Sequence, residues 1–116
     1  MFDAHCPELA RTLTIRLLND AFRRSLIGGR TVMTQAVAAM DPEPRQALIC
    51  AVQNYQAFSP ENDPDGEHNF GDISLNDELF YFKIDFYDLA MEAGSPDPTD
   101  PRVTTRVLTI MHARDY

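Results

Sequence analysis

The stretch Asp72-Ile-Ser-Leu-Asn-Asp-Glu-Leu-Phe-Tyr-Phe-Lys-Ile-Asp-Phe-Tyr87 decides the fold. From Leu79 to Tyr87 the side chains alternate. Phe80, Phe82, Ile84 and Phe86 fall on one face, and Tyr81, Lys83, Asp85 and Tyr87 on the other. Successive residues of a strand point to opposite sides, so this period of two predicts a half-buried strand over Leu79–Tyr87. The all-apolar row belongs to a core. The half-polar row is either a binding surface or a set of satisfied cross-strand pairs. Asn76-Asp77 separates this run from the shorter run Asp72–Leu75. Both turn residues tolerate positive φ, which predicts a hairpin.

Beyond the hairpin, Gly94-Ser-Pro-Asp-Pro-Thr-Asp-Pro101 admits neither helix nor strand. The Val- and Thr-rich run Val103–His112 then predicts a strand. A helix over the same span stays open, because Val103, Val107, Ile110 and Met111 also fit a helical stripe. Upstream, Asp41-Pro42 reads as an N-cap followed by a first-turn proline. Leu48, Ala51, Val52, Tyr55 and Phe58 give the apolar stripe of a helix over about 42–57, which Ser59-Pro60 ends. Thr31–Val37 is β-branched and weakly alternating, and predicts a strand. The first helix is expected over Pro7–Ile27. Leu9, Leu13, Leu17 and Ala21 recur at i+4, beside Leu18, Phe22 and Leu26. Its opposite face carries Arg16, Asp20, Arg23 and Arg24, with Asp20 and Arg24 in the favourable acid-first order. Gly28-Gly29 stops it. The expectation is a single α+β domain over 1–116, with two helices packed on one face of a small antiparallel sheet in the order α-β-α-β-β-β.

The 116 residues are 44% hydrophobic and 24% charged, an ordinary globular composition. No apolar run reaches the roughly 20 residues of a spanning helix, and the first residues carry no leader pattern, so the expected compartment is the cytoplasm. Cys6 and Cys50 fit no metal or redox spacing and read as free thiols. Net charge is −8, and it is unevenly spread. Residues 1–40 carry +2, residues 41–100 carry −12 and residues 101–116 carry +2. Such a middle repels a phosphate backbone and attracts a basic surface, so neither direct nucleic-acid binding nor membrane association is expected. Plain solubility would also explain the acidity.

The charge concentrates in Ser59-Pro-Glu-Asn-Asp-Pro-Asp-Gly-Glu-His-Asn-Phe-Gly-Asp72, which holds five carboxylates, one His, two Pro and two Gly. Glu61, Asp63, Asp65, Glu67, Asn69 and Asp72 fall at the ligand spacing of a calcium loop, with Gly66 at its turn position. Pro64 inside the turn, His68 at an aliphatic position and the strand that follows all depart from that pattern. Asp63, Asp65, Glu67 and His68 could alternatively meet a transition metal. The competing reading is a rigid joint. Asn62 and Asp63 would close Asx-type turns before Pro64, and His68 would tie the loop to the Tyr87/Asp88 end of the sheet. General acid–base work by Glu67, His68 and Asp85 is conceivable, but no nucleophile elbow accompanies it. His5 and His112 read as incidental.

Leu18-Asn-Asp-Ala-Phe-Arg-Arg24, Gly28-Gly-Arg-Thr-Val-Met-Thr34, Asn62-Asp-Pro-Asp-Gly-Glu-His68 with Phe70-Gly71, Lys83-Ile-Asp-Phe-Tyr-Asp88 and Thr105-Arg-Val-Leu-Thr-Ile-Met111 together resemble an uncharacterised bacterial family known only as a domain of unknown function. The resemblance runs from about residue 14 to Tyr116. Asn69 stands where that family shows Asp, and Phe82 where it usually shows an aromatic. The resemblance implies no activity, substrate or catalytic residue. It implies a setting on plasmids and other mobile elements, beside genes that counter host defences.

The function expected from the residues is that of a non-enzymatic acidic interaction protein. Glu61, Asp63, Asp65, Glu67, Asp72, Asp77, Glu78, Asp85 and Asp88 would dock on a basic nucleic-acid-binding protein, with carboxylates standing where phosphates normally lie. An inhibitor of a restriction or CRISPR effector is the concrete form. A metal-binding module or metal-assisted enzyme using Asp63, Asp65, Glu67 and His68 is the second reading, and a scaffold or homo-oligomer subunit the third. No catalytic residue and no cofactor are expected.

Overall fold

The computed structural model describes residues 7–116; Cys6 and His5 lie outside the described residues. The elements in chain order are α1 (Pro7–Ser25), β1 (Gly29–Met33), α2 (Gln35–Ala38), α3 (Pro42–Gln53), β2 (Phe70–Leu75), β3 (Glu78–Tyr87) and β4 (Thr105–His112), with a closing 3₁₀ turn over Ala113–Asp115. The architecture is α+β, as the patterning predicts. The helices pack with one four-stranded sheet of order β1-β4-β3-β2.

The hairpin forms where the alternation places it. Leu75 pairs with Glu78 across Asn76 and Asp77, whose φ values are 52° and 64°. Two successive left-handed residues make the tight turn whose twist matches its flanking strands. β3 is antiparallel to both neighbours, and Val103–His112 resolves as a strand from Thr105 onward. β1 joins the other edge of β4 in parallel, with Gly29 opposite Arg106 and Met33 opposite Ile110. The sheet is therefore mixed, and its first strand pairs with its last.

Three boundaries differ from the expectation. The strand expected over Thr31–Val37 is Gly29–Met33, and the chain then coils into α2. Thr34 causes the change: its carbonyl accepts N–H bonds from Val37 and Ala38, so Val37 becomes a buried helical residue. The helix expected over 42–57 stops at Gln53, where the Asn54 side chain folds back onto the Cys50 carbonyl at 2.8 Å. Asp41 sits at the cap position beside Pro42, but its side chain makes no capping bond. At the end of α1 the first left-handed residue is Leu26, with φ 59°, and Gly28 follows at φ 107°.

The core is Phe22, Val37, Leu48, Val52, Tyr55, Ile73, Phe80, Phe82, Ile84, Leu108 and Ile110. It lies between the helices and the expected apolar row of β3. The opposite sheet face is only partly covered. There Phe70, Tyr81 and Tyr116 form an aromatic group with ring centroids 5.2–5.7 Å apart, and Lys83 pairs with Asp85 at 3.1 Å.

α1 turns a different face inward from the one its leucines suggest. Leu9 and Leu17 are 41% and 69% exposed, whereas Ile15, Asn19, Phe22 and Arg23 are buried. Ile15 and Phe22 are apolar; Asn19 and Arg23 face irregular backbone and donate to its carbonyls, which apolar side chains cannot do, and Asp20 accepts from Arg23 and His68.

Candidate functional site: an Asp–His corner beneath the acidic loop

Arg16, Asn19, Asp20 and Arg23 recur at three- and four-residue steps, so one face of α1 presents them together. Above them lies the acidic loop. Arg16 Nε donates to the Gly66 carbonyl at 2.6 Å and Asn19 Nδ2 to the Glu67 carbonyl at 3.0 Å. The Asp20 carboxylate receives Arg23 Nη1 at 2.9 Å and His68 Nδ1 at 2.9 Å. Arg23 is fully buried, and its other nitrogens donate to the Val52 and Tyr55 carbonyls at 3.1 and 3.2 Å. Arg106, buried on β4, donates from Nε to Asn19 Oδ1 at 2.9 Å and from Nη2 to the Pro98 carbonyl. Its guanidinium also lies over the Phe86 ring, 5.2 Å from the centroid. One network thus joins α1, the loop, the end of α3 and the connector before β4.

The loop also closes on itself. Asn62 Oδ1 accepts the Ser59 N–H at 2.9 Å, and Asn62 Nδ2 donates to Tyr55 Oη at 3.0 Å. Tyr55 Oη in turn donates to Asp72 Oδ1 at 3.0 Å, which ties the outer edge of β2 to the end of α3. Asp63 is 7% exposed, and each of its carboxylate oxygens accepts the His68 N–H at 3.2 Å. Asn62 and Asp63 therefore do what the joint reading asks of them. His68 does not reach the Tyr87/Asp88 end of the sheet. It binds Asp20 and stacks on Phe58, with ring centroids 3.9 Å apart and planes within 3°. The expected Asp20–Arg24 pair is replaced by Asp20–Arg23, because Arg23 points inward and Arg24 outward.

Burial raises the Asp20 carboxyl, but the hydrogen bonds from His68 and Arg23 outweigh it and hold the group below the ordinary 3.8. Glu67 moves the other way: burial first, then the neighbouring Asp65 and Asp63, push it above the ordinary 4.5. Burial likewise lowers Arg106, against the pull of Glu67. The corner thus contains one compensated carboxylate and a group of acids that repel one another. Beside it opens a cleft of about 510 Å³, whose walls include Arg16, Phe58, Pro60, Asp63, Asp65 and His68.

The carboxylates predicted to bind a partner divide into several sets. Glu61, Asp65, Asp72 and Asp77 are exposed and make no ion pair among the described residues. Glu78 pairs with His112 at 3.1 Å, which gives His112 a role on the hairpin. Asp85 pairs with Lys83. Asp63 is locked in the turn, Glu67 is half-buried, and Asp88 accepts the Glu92 N–H at 3.0 Å. Asp63, Asp65, Glu67 and His68 do not converge: among the described residues, no group of three or more His, Cys, Asp or Glu is placed to hold a metal ion. Cys50 is an exposed free thiol. Sequence reasoning did not single out Asn19, Asp20, Arg23, Phe58 or Arg106 as site residues. Arg106 carried a legible signal, since it shares the inward row of β4 with Leu108 and Ile110, where a charge needs a partner.

No curated protein and no solved structure matches the chain. A family profile described as a protein of unknown function matches residues 33–115. That span starts later than the resemblance from about residue 14, and so takes in the loop, His68 and Arg106 but not α1. Covering most of the chain, the match shows that the protein belongs to this family of unknown function, DUF3768.

Proposed function

We propose that this chain is a non-enzymatic interaction protein that docks a basic, nucleic-acid-binding protein along the outer edge of β2. One observation carries the reading: Glu61, Asp65, Asp72 and Asp77 are all exposed and make no ion pair among the described residues, with Asp72 on β2 and Asp77 at its hairpin tip. Asn62 Nδ2, 3.4 Å from Asp72 Oδ1, brings the Glu61 segment beside the strand. From Asp72 the extended chain runs about 10 Å to Leu75, where the turn that carries Asp77 begins, so the two carboxylates can stand in for separate phosphates. Unpaired surface charge contributes chiefly to steering and partner choice. The concrete form we propose is an inhibitor of a restriction or CRISPR effector, acting in the cytoplasm.

The test is capture from host lysate by wild type and by the variant Glu61→Gln/Asp65→Asn/Asp77→Asn, each at low and high salt. The reading expects a basic nucleic-acid-binding protein retained by wild type at low salt, released at high salt and lost by the variant, whose melting is unchanged. Retention indifferent to both salt and the three substitutions would overturn it.

A further inference from the structure

His68 is held more tightly than a loop residue requires. Its φ of 56° lies in the left-handed region, which a side-chain-bearing residue adopts only at a cost. Three contacts keep it there: Asp63 on its N–H, Asp20 on Nδ1 and Phe58 against its face. Backbone strain that the surroundings over-determine is a mark of functional positions. Because Asp20 accepts from Nδ1, the neutral ring carries its proton there and Nε2 is left as an acceptor. Nε2 makes no hydrogen bond among the described residues, and Asp63 Oδ2 stands 3.9 Å from it. Two acceptors at that separation are bridged by one N–H donor group about 2.8–3.0 Å from each.

Both residues line the cleft, together with Phe58, Pro60 and Leu9 on its apolar side. Its charged lining is Asp63 and Asp65 against Arg16, whose Nε is engaged by the Gly66 carbonyl. We propose that this cleft receives one lysine or arginine side chain, its cationic head bridging His68 Nε2 and Asp63 Oδ2 and its methylene stem lying along Phe58 and Pro60. Resting on the docking reading above, this makes the side chain the anchor of the basic partner, because a cation desolvated in a pocket discriminates more strongly than one on a rim.

The probes are N-acetyl-lysine-N-methylamide and N-acetyl-arginine-N-methylamide, with the norleucine analogue as the uncharged control. Imidazole ¹⁵N resonances of His68 are followed in the full chain above neutral pH. Saturable movement of Nε2 with either cationic probe, and none with norleucine, is the expected result. His68→Asn keeps a residue that tolerates the left-handed conformation while removing Nε2, and should weaken binding about tenfold. Overturning results are no saturable movement in wild type, equal response to norleucine, or equal affinity in a folded His68→Asn. The two proposals fail separately. Probe binding without salt-sensitive partner capture sinks only the docking reading, and salt-sensitive capture without probe binding sinks only the pocket.

Discussion

Asp20 receives both a buried guanidinium and an imidazole, so its removal is felt on both sides. Its side chain is 12% exposed and Arg23 is fully buried, and stranding a buried cation typically costs 3–5 kcal/mol. We expect Asp20→Asn to lose about 3 kcal/mol in urea unfolding, partly offset by the amide's own hydrogen bonds. The two shifted carboxyls also set opposite pH responses. Asp20 is lowered in the folded state, so its contribution is present above 3.8 and disappears as pH falls through the lowered value. Glu67 is raised, so its charge destabilises the fold near neutrality, and the loss is relieved as pH falls through a value above 4.5. Melting temperature should thus rise slightly in mild acid and drop in strong acid. Glu67→Gln should flatten the rise and Asp20→Asn the drop. Thr31 offers a third check. Its buried hydroxyl has no partner among the described residues, so Thr31→Val should stabilise the fold by about 1 kcal/mol in the same assay. Little of this was legible in the sequence. Asp20 and Arg23 read as a solvated helix face, because what covers that face comes from residues 52–68, far along the chain.

At the scale of elements, the period of β3 and the chemistry of Asn76-Asp77 were sufficient, since strand alternation and turn φ are local properties. The strand expected over Thr31–Val37 starts two residues earlier and ends at Met33, the latter because a helical turn nucleated by Thr34 competes with extension, and β-branching alone does not decide between them. The stripe over 42–57 outlasted its helix for a related reason: Tyr55 and Phe58 enter the core and the corner from irregular backbone. Gly71 tests the packing between β2 and β3. A Cβ there would lie 2.3 Å from the Phe82 ring and 2.8 Å from the Tyr55 ring. Neither ring has room to retreat, so Gly71→Ala should lose about 3 kcal/mol in chemical denaturation. The hairpin tip should respond in the opposite sense. Asp77 holds φ 64° with a side chain present, and Asp77→Gly should gain about 0.5–1 kcal/mol. A loss at this position would contradict the turn assignment.

Across the whole molecule, the α+β class followed from the order of periodic segments, but the way the sheet closes did not. Nothing local announces that Gly29–Met33 will lie parallel to β4, since the signal is shared between residues at opposite ends of the chain. The acidic middle was legible as a charge imbalance, whereas its division into exposed, paired and turn-locking carboxylates required the fold. The parallel join has a consequence for how the protein is made. During synthesis β1 emerges well before residues 106–110, the strand it pairs with among the described residues. Asn19 waits longer still for Arg106. The hairpin can form on the nascent chain, but the sheet and the buried polar network close only once β4 has emerged, so an exposed β1 edge must be tolerated or shielded until then.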